Sequence, residues 1–470
     1  MSAPGRSAAV SPGGVRMPER GALPASSRQD WCWHWTRSHT GDSTPLESPE
    51  VLLLRGRLDT GALREALAEV ETRHEALRLH LAGDAGPGAD ATWPGQRLRS
   101  APGALHVVPA GADGVRAGVR RTLARRLDLT DRMARTTLLR SPDGEHVLVA
   151  QFHHLVVDGT SHDVFRRDLA AAYAARTGAE RHAPAGRPAP FGYVDLIRRE
   201  QSEPSRADRR ARAAALARTL AAHGAREPLP ARPGAEVSDR ARFAGVPLAL
   251  SAGHTEGLLG WCREQRTTPH NTLLALLARA VADEYGRDRL VASVYMHGRT
   301  TPEARHAVGL LCNVVPVPLD LGDRDLPGLA RHVGGAVLDA WDRVDLPLGA
   351  VVGHTDGEGA GTEAVYRTAL SHLEFRMTGG AGRAGRAGAV PPFGPELSAE
   401  NLTYEPPDHG LRFTGRRQAL QCARSLYAAV EMAGGEITGS LWYDEQYHHA
   451  VRLARVAGAF RTAAQQLLAA

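Results

Sequence analysis

The sequence predicts an α+β protein of two lobes, and three observations predict it. Segments with a period of two and segments with a helical period alternate through both halves of the chain. The strands read as mostly antiparallel, and neither half carries the glycine fingerprint of a dinucleotide fold. A Pro/Gly/Ala-rich stretch at 181–190 separates the two sets of elements. A length of 470 residues suggests two or three packing units, because single cores stop growing near roughly 250–300 residues. The expected division is a disordered tail over 1–20, a first lobe over 21–185 and a second over 186–470.

In the first lobe, 51–58 predicts a strand and 60–75 a helix with Leu63, Leu67 and Val70 as its core stripe. A weaker strand over 104–109 and a helix over 115–126 follow. The runs 135–140 and 145–154 are joined by Ser141-Pro142-Asp143-Gly144, a strong turn signal, and so predict a hairpin. After Gly159, Phe165, Leu169 and Tyr173 recur at helical spacing until Gly178 ends the run. Arginine-rich helical runs at 196–203 and 205–222 are broken at Pro204. The second lobe starts near Phe243, with a strand at 246–250, helices at 254–265 and 271–285, and a strand at 290–295. Strands near 314–319, 369–375, 426–432 and 436–443 precede a last helix over 450–468. Residues 379–392, rich in Gly, Ala and Arg, predict a loop without fixed structure.

The chemistry concentrates in His153-His154-Leu155-Val156-Val157-Asp158-Gly159, at the corner between the second hairpin strand and the helix. Imidazole is the side chain whose ordinary pKa lies nearest neutrality, so a held histidine can take a proton from an amine or hydroxyl nucleophile. Successive strand side chains face opposite sides, so His153 and His154 cannot share one role. His154 is the catalytic candidate, either accepting the proton or orienting the amine through a hydrogen bond, and His153 is a core histidine that supports it. Gly159 has no side chain, so its N–H can approach a reacting carbonyl.

Composition removes several alternatives. All 57 basic residues are arginine. A Schiff-base lysine, a pyridoxal phosphate anchor and a Walker-type phosphate loop all need lysine and are excluded. The net charge of +5 is spread along helical patterns rather than gathered in aromatic-rich basic stretches, which argues against nucleic acid and suits an acidic protein partner. No run approaches a membrane span and no signal peptide opens the chain, so a cytoplasmic protein is expected. Cys32, Cys262, Cys312 and Cys422 have neither metal-ligand nor redox spacing, and no metal site is expected. His448 and His449 are read as surface residues.

The His-His-x-x-x-Asp-Gly string resembles the signature of the condensation-domain superfamily of nonribosomal peptide synthetases, relatives of chloramphenicol acetyltransferase. Further segments resemble that superfamily in order: Arg73-His74-Glu75-Ala76-Leu77-Arg78, Tyr193-Val194-Asp195, Gly298-Arg299, Val308-Gly309-Leu310-Leu311-Cys312-Asn313-Val314 and Gly439-Ser440-Leu441-Trp442-Tyr443-Asp444. The likeness runs from about Leu23 to the C-terminus. It implies two chloramphenicol-acetyltransferase-like lobes in a V, with a tunnel between them and His154 at its middle. It also implies that Asp158 pairs with Arg299 to hold the corner, and that Arg73, Glu75 and Arg78 are scaffold ion pairs. Asn313, Ser371 and His372 become candidate tunnel-lining residues. One departure stands at Ser26-Ser27-Arg28-Gln29-Asp30-Trp31-Cys32-Trp33, where Trp31 replaces the family's arginine and becomes a further lining candidate.

The function implied is a free-standing condensation enzyme. It would join an acyl group, held as a thioester on the phosphopantetheine arm of a carrier protein acting in trans, to an amine or a hydroxyl acceptor, with no bound cofactor. The alternatives are a coenzyme A-dependent acyltransferase, against which the missing Asp-Phe-Gly-Trp-Gly string counts, and a non-catalytic carrier-docking module.

Overall fold

The computed structural model describes residues 22–40, 46–83, 93–111, 113–141, 144–178, 190–225, 227–235, 242–346, 348–355, 371–379, 390–402 and 425–467. The expected tail, the centre of the hairpin turn, nearly all of the 181–190 stretch and the heart of the glycine-rich loop lie outside them.

Helix Ser27–Thr40 (α1) precedes strand Glu50–Gly56 (β1). Asp59 then starts helix Thr60–Arg73 (α2) by accepting from the N–H groups of Gly61 and Ala62. A short 3-10 turn, Glu75–Arg78, leads into the ribbon of Leu79–Leu81 (β2) and Gln96–Leu98 (β3). Strand His106–Pro109 (β4), helix Gly114–Leu123 (α3), strands Ala134–Arg140 (β5) and Glu145–Phe152 (β6), and helices Gly159–Arg176 (α4), Tyr193–Gln201 (α5) and Glu203–Ala222 (α6) complete this half. Pro204 does not break a helix. It sits in the first turn of α6, where its missing N–H has no intrahelical acceptor to lose, and the break falls at Ser202.

The second half runs through Phe243–Pro247 (β7), Ala252–Glu264 (α7), Pro269–Tyr285 (α8), Arg289–Met296 (β8), Asn313–Asp320 (β9), Leu326–Trp341 (α9), Leu348–Thr355 (α10), Leu373–Gly379 (β10), Leu397–Asn401 (β11), Leu426–Ala433 (β12), Glu436–Asp444 (β13) and Ala450–Gln466 (α11).

Two large sheets result, in the orders β11-β1-β6-β5-β4 and β7-β13-β12-β10-β8-β9. They are more mixed than the sequence suggests, since β4 runs parallel to β5 and β10 runs parallel to both β12 and β8. Alternation along a strand fixes which face is buried but not which neighbour it pairs with, so parallel pairing was not legible.

Each sheet has its own core. α7, α8, α9 and α11 pack on one face of the second sheet around Leu273, Leu277, Phe375, Leu441 and Phe460. α2 and α4 pack on the first sheet around Leu52, Leu63, Leu148, Phe152 and Phe165. The chain does not divide between these cores at 185/186. Tyr193, Ile197, Val308, Leu311, Phe393 and Leu397 all belong to the first core, and β11 pairs with β1. Composition marks where the chain is loosely built, whereas a core is defined by which apolar faces meet. His448 is also not a surface residue: it is 1% exposed and its Nδ1 lies 2.9 Å from the Tyr285 hydroxyl.

Candidate active site

The end of β6 is held from outside the hairpin. Glu47 pairs with His153 across an isolated bridge, and the His154 N–H donates to the Leu46 carbonyl at 2.7 Å. The chain then turns sharply: the Leu155 N–H donates to His153 Nδ1 at 3.2 Å and the Val156 N–H to the His153 carbonyl at 3.0 Å. His153 is 2% exposed, whereas His154 is only part-buried.

Among the described residues the His154 ring makes one hydrogen bond, Nδ1 to the Val157 carbonyl at 2.6 Å. A carbonyl only accepts, so Nδ1 carries the hydrogen and Nε2 keeps its lone pair. Burial pushes the imidazole below its ordinary pKa of 6.5, with the Val157 carbonyl and Asp158 opposing and His162 and Arg376 adding to the fall. His154 is therefore a neutral base at neutral pH, with one nitrogen available.

Asp158 faces away from that ring. Its carboxylate accepts a fork of bonds from Arg299 at 2.8 and 2.9 Å, from the N–H groups of Leu311 and Cys312 at 3.0 and 2.9 Å, and from the N–H and hydroxyl of Ser161 at 3.0 and 2.9 Å. It is also the N-cap of α4, in a capping box with Ser161. Burial alone would raise this carboxyl, but Arg299 overcomes it and holds the pKa below the ordinary value. Gly298 makes the approach of Arg299 possible. Its φ is +63°, and a Cβ there would stand 1.8 Å from the Leu311 carbonyl oxygen. Gly159 is exposed at the N-terminus of α4, with nothing within 4 Å of where a Cβ would lie.

Other quoted segments brace this corner. Gln29 Nε2 donates to the Leu155 carbonyl at 3.0 Å, and Arg28 pairs with Glu200 at 2.6 Å. Arg73 and His74 both reach Asp168, at 3.2 and 3.0 Å. Glu75 accepts from the Val194 N–H at 2.9 Å, and Arg78 donates to the carbonyls of Glu71 and Arg99.

Four candidate lining residues are occupied elsewhere. His372 Nδ1 accepts from the Val291 N–H at 2.9 Å and Nε2 donates to the Glu227 carbonyl at 2.9 Å, so the ring ties a strand to a loop. Ser371 is 8% exposed and its carbonyl accepts from Ser425. Asn313 donates to the carbonyls of Val344 and Leu346 at 2.9 and 2.6 Å. Trp31 packs against the α6 cluster that holds Leu216 and Leu346. Asn313, Ser371 and His372 are buried, whereas Trp31 is partly exposed.

Two groups near the motif were not foreseen. His162 bonds Glu50 through Nδ1 and Ser48 through Nε2, each at 2.9 Å, while Arg166 holds both Glu50 oxygens at 2.8 and 3.0 Å. His162 and Arg166 share a face of α4 at i,i+4 spacing, which is the signal that could have found them. Arg376 on β10 acts electrostatically on His154, and nothing in the local sequence of β10 announces it. Among the described residues, no group of three metal-ligating side chains comes together and no helix is long and apolar enough to cross a membrane.

A Condensation domain family model matches residues 19–371. The beauvericin nonribosomal cyclodepsipeptide synthetase of Beauveria bassiana is 29% identical over 336 residues, covering 70% of this chain and 10% of that protein. The isonitrile lipopeptide synthase of Mycobacterium tuberculosis is 30% identical over 340 residues, covering 70% of this chain and 13% of that protein. The chain thus spans about a tenth of the length of these relatives. Among solved structures, the X-domain complexed with OxyB from teicoplanin biosynthesis aligns with a TM-score of 0.69 at 24% identity, covering 100% of this chain and 97% of that one. The condensation domain of the monacolin K polyketide synthase MokA aligns at 0.68 and 16% identity, covering 95% and 97%. At these identities the alignments speak for the fold.

Proposed function

Because this chain belongs to the Condensation domain family, we propose that it transfers an acyl group from a thioester on a carrier protein's phosphopantetheine arm to an amine. The observation that carries the reading is the bond from His154 Nδ1 to the Val157 carbonyl, which leaves Nε2 as a neutral acceptor beside the N-terminus of α4.

The amine nitrogen attacks the thioester carbonyl while its proton passes to His154 Nε2. The oxyanion that forms is stabilised by the N–H of Gly159 and the positive end of the 18-residue α4. The carbon–sulfur bond then breaks and the proton on Nε2 moves to the departing thiolate. Asp158 and Arg299 keep the corner in shape and take no part in the proton transfer. No metal or bound cofactor enters these steps. A hydroxyl acceptor would follow the same path to an ester.

The net charge of +5 suits docking of an acidic carrier protein supplied in trans. One acyl group is to be offered on a carrier, on coenzyme A and on a short pantetheine mimic, with product read by mass spectrometry. The carrier-bound form should react with the highest efficiency, and only that reaction should weaken as salt screens the encounter. Equal, salt-insensitive use of coenzyme A would move the chain to the acyltransferase class. Binding of a carrier without turnover would make it a docking module.

A further inference from the structure

The second sheet buries one face in its main core, and on the other face α6 and α10 cover β8 at Val291. Val294, Phe375, Ala428 and Leu441 point into its core. Strand alternation places Tyr295, Glu374, Arg376, Tyr427 and Trp442 on the opposite face. Trp442 lies directly across from Tyr427, and Tyr427 directly across from Glu374, so the three stand side by side over β13, β12 and β10. Tyr295 continues the group on β8: its hydroxyl donates to Glu374 Oε2 at 3.3 Å and its ring meets Tyr427 edge-on at 6.5 Å.

This face is partly open, with Tyr295 and Trp442 40% and 41% exposed. One end of it meets the motif, since Met296 at the end of β8 pairs with Asn313 and the chain continues from there to Arg299 on Asp158. Arg376 stands toward that end and acts on the His154 imidazole. Glu374 lies two residues back along β10, about 7 Å away.

We propose that this face is the acceptor subsite, and that it selects an amine carrying a second, cationic nitrogen, with Glu374, Tyr295, Tyr427 and Trp442 receiving the cation. The inference rests on the condensation reading above. Aromatic faces around a carboxylate hold ammonium and guanidinium groups well. Arg376 completes the logic at the other end. A positive charge beside the reacting nitrogen favours its neutral, nucleophilic form, whereas the carboxylate farther along favours the charged form of the second nitrogen. The two nitrogens of one acceptor are thereby told apart, and the reacting one is presented to His154.

The test uses the full chain, one acyl thioester donor that it accepts, and two acceptors of equal length, 1,5-diaminopentane and 1-aminohexane. The diamine should be acylated with a kcat/KM at least about tenfold higher, and Glu374→Gln should remove that advantage by raising KM for the diamine far more than for hexylamine. Trp442→Ala, at an exposed position, should cut the same preference and serves if Glu374→Gln does not fold. Equal efficiency for the two amines, or a loss in Glu374→Gln that is the same for both, would overturn the subsite and leave the condensation reading standing. Acylation of neither while the donor reacts with another acceptor would likewise overturn the subsite alone, and acylation of no amine or hydroxyl from any thioester would remove both readings.

Discussion

Asp158→Ala separates a brace from a proton relay. In the structure the carboxylate takes two bonds from Arg299, two from backbone N–H groups at Leu311 and Cys312, and two from Ser161. Asp158 and Arg299 are 1% and 3% exposed. The substitution leaves a buried guanidinium with only the His297 and Ala307 carbonyls and the Ser161 hydroxyl as partners, and deprives Leu311 and Cys312 of their acceptor. Breaking one side of a buried pair costs roughly 3–5 kcal/mol. Losing the α4 cap adds about 1 kcal/mol. A total near 4–6 kcal/mol is a large share of the roughly 5–15 kcal/mol that holds a domain. Arg299→Ala should cost a comparable amount, since it strands the carboxylate instead. The double variant should then fall short of the sum of the singles by about 2–3 kcal/mol. Urea unfolding of the four proteins followed by circular dichroism measures this, with turnover of each still-folded variant read beside it. Strict additivity would refute the pairing argument and return Asp158 to a role in orienting His154.

His154→Ala should remain folded by circular dichroism and lose at least about a hundredfold in turnover, the scale of acid–base help; near-normal turnover would take His154 out of the chemistry. Because burial holds its imidazole below 6.5 and the neutral form is the reactive one, kcat/KM should stay flat through neutrality and fall only below pH 6.5. Arg376→Gln should move that acid limb upward in a pH–rate profile. Asp168 is held down to about 2, where burial alone would raise it, by His74 and Arg167. Its stabilising contribution is therefore present above its ordinary value near 3.8 and lost as pH falls toward 2, so Asp168→Asn should flatten the acid side of a stability curve. Gly298→Ala should lower thermal stability, since a left-handed φ and a 1.8 Å clash with the Leu311 carbonyl oxygen must both be relieved.

The hairpin, its turn and the helix after Gly159 were legible because strand alternation, a Ser-Pro-Asp-Gly turn and helical spacing are local signals. Helices α1, α9 and α10 went unread, although α9 carries legible signals in its Asp325 cap, its first-turn proline and its buried stripe Leu329, Val333 and Val337. At the site, the motif itself could be read, including the opposite facing of His153 and His154. What could not be read is long-range. Arg376 meets His154 only because β10 sits beside β8, and Glu50 meets His162 only because β1 sits beside β6. The backbone partners of Asn313 and His372 were equally illegible, since Val344, Leu346, Val291 and Glu227 are far from them in the chain.

The pairing of β11 with β1 has a consequence for the birth of the molecule. Gly56 opposes Leu397, so about 340 residues must leave the ribosome before the outer edge of the first sheet is closed. At about 5–20 residues per second, that edge waits roughly twenty to seventy seconds. During this interval Leu52 and Leu54 sit on a strand with one row of amide and carbonyl groups unsatisfied, the arrangement that invites pairing with another chain. A nascent fragment ending before Leu397 should therefore be held by chaperones or self-associate, and adding back residues 397–401 should release it.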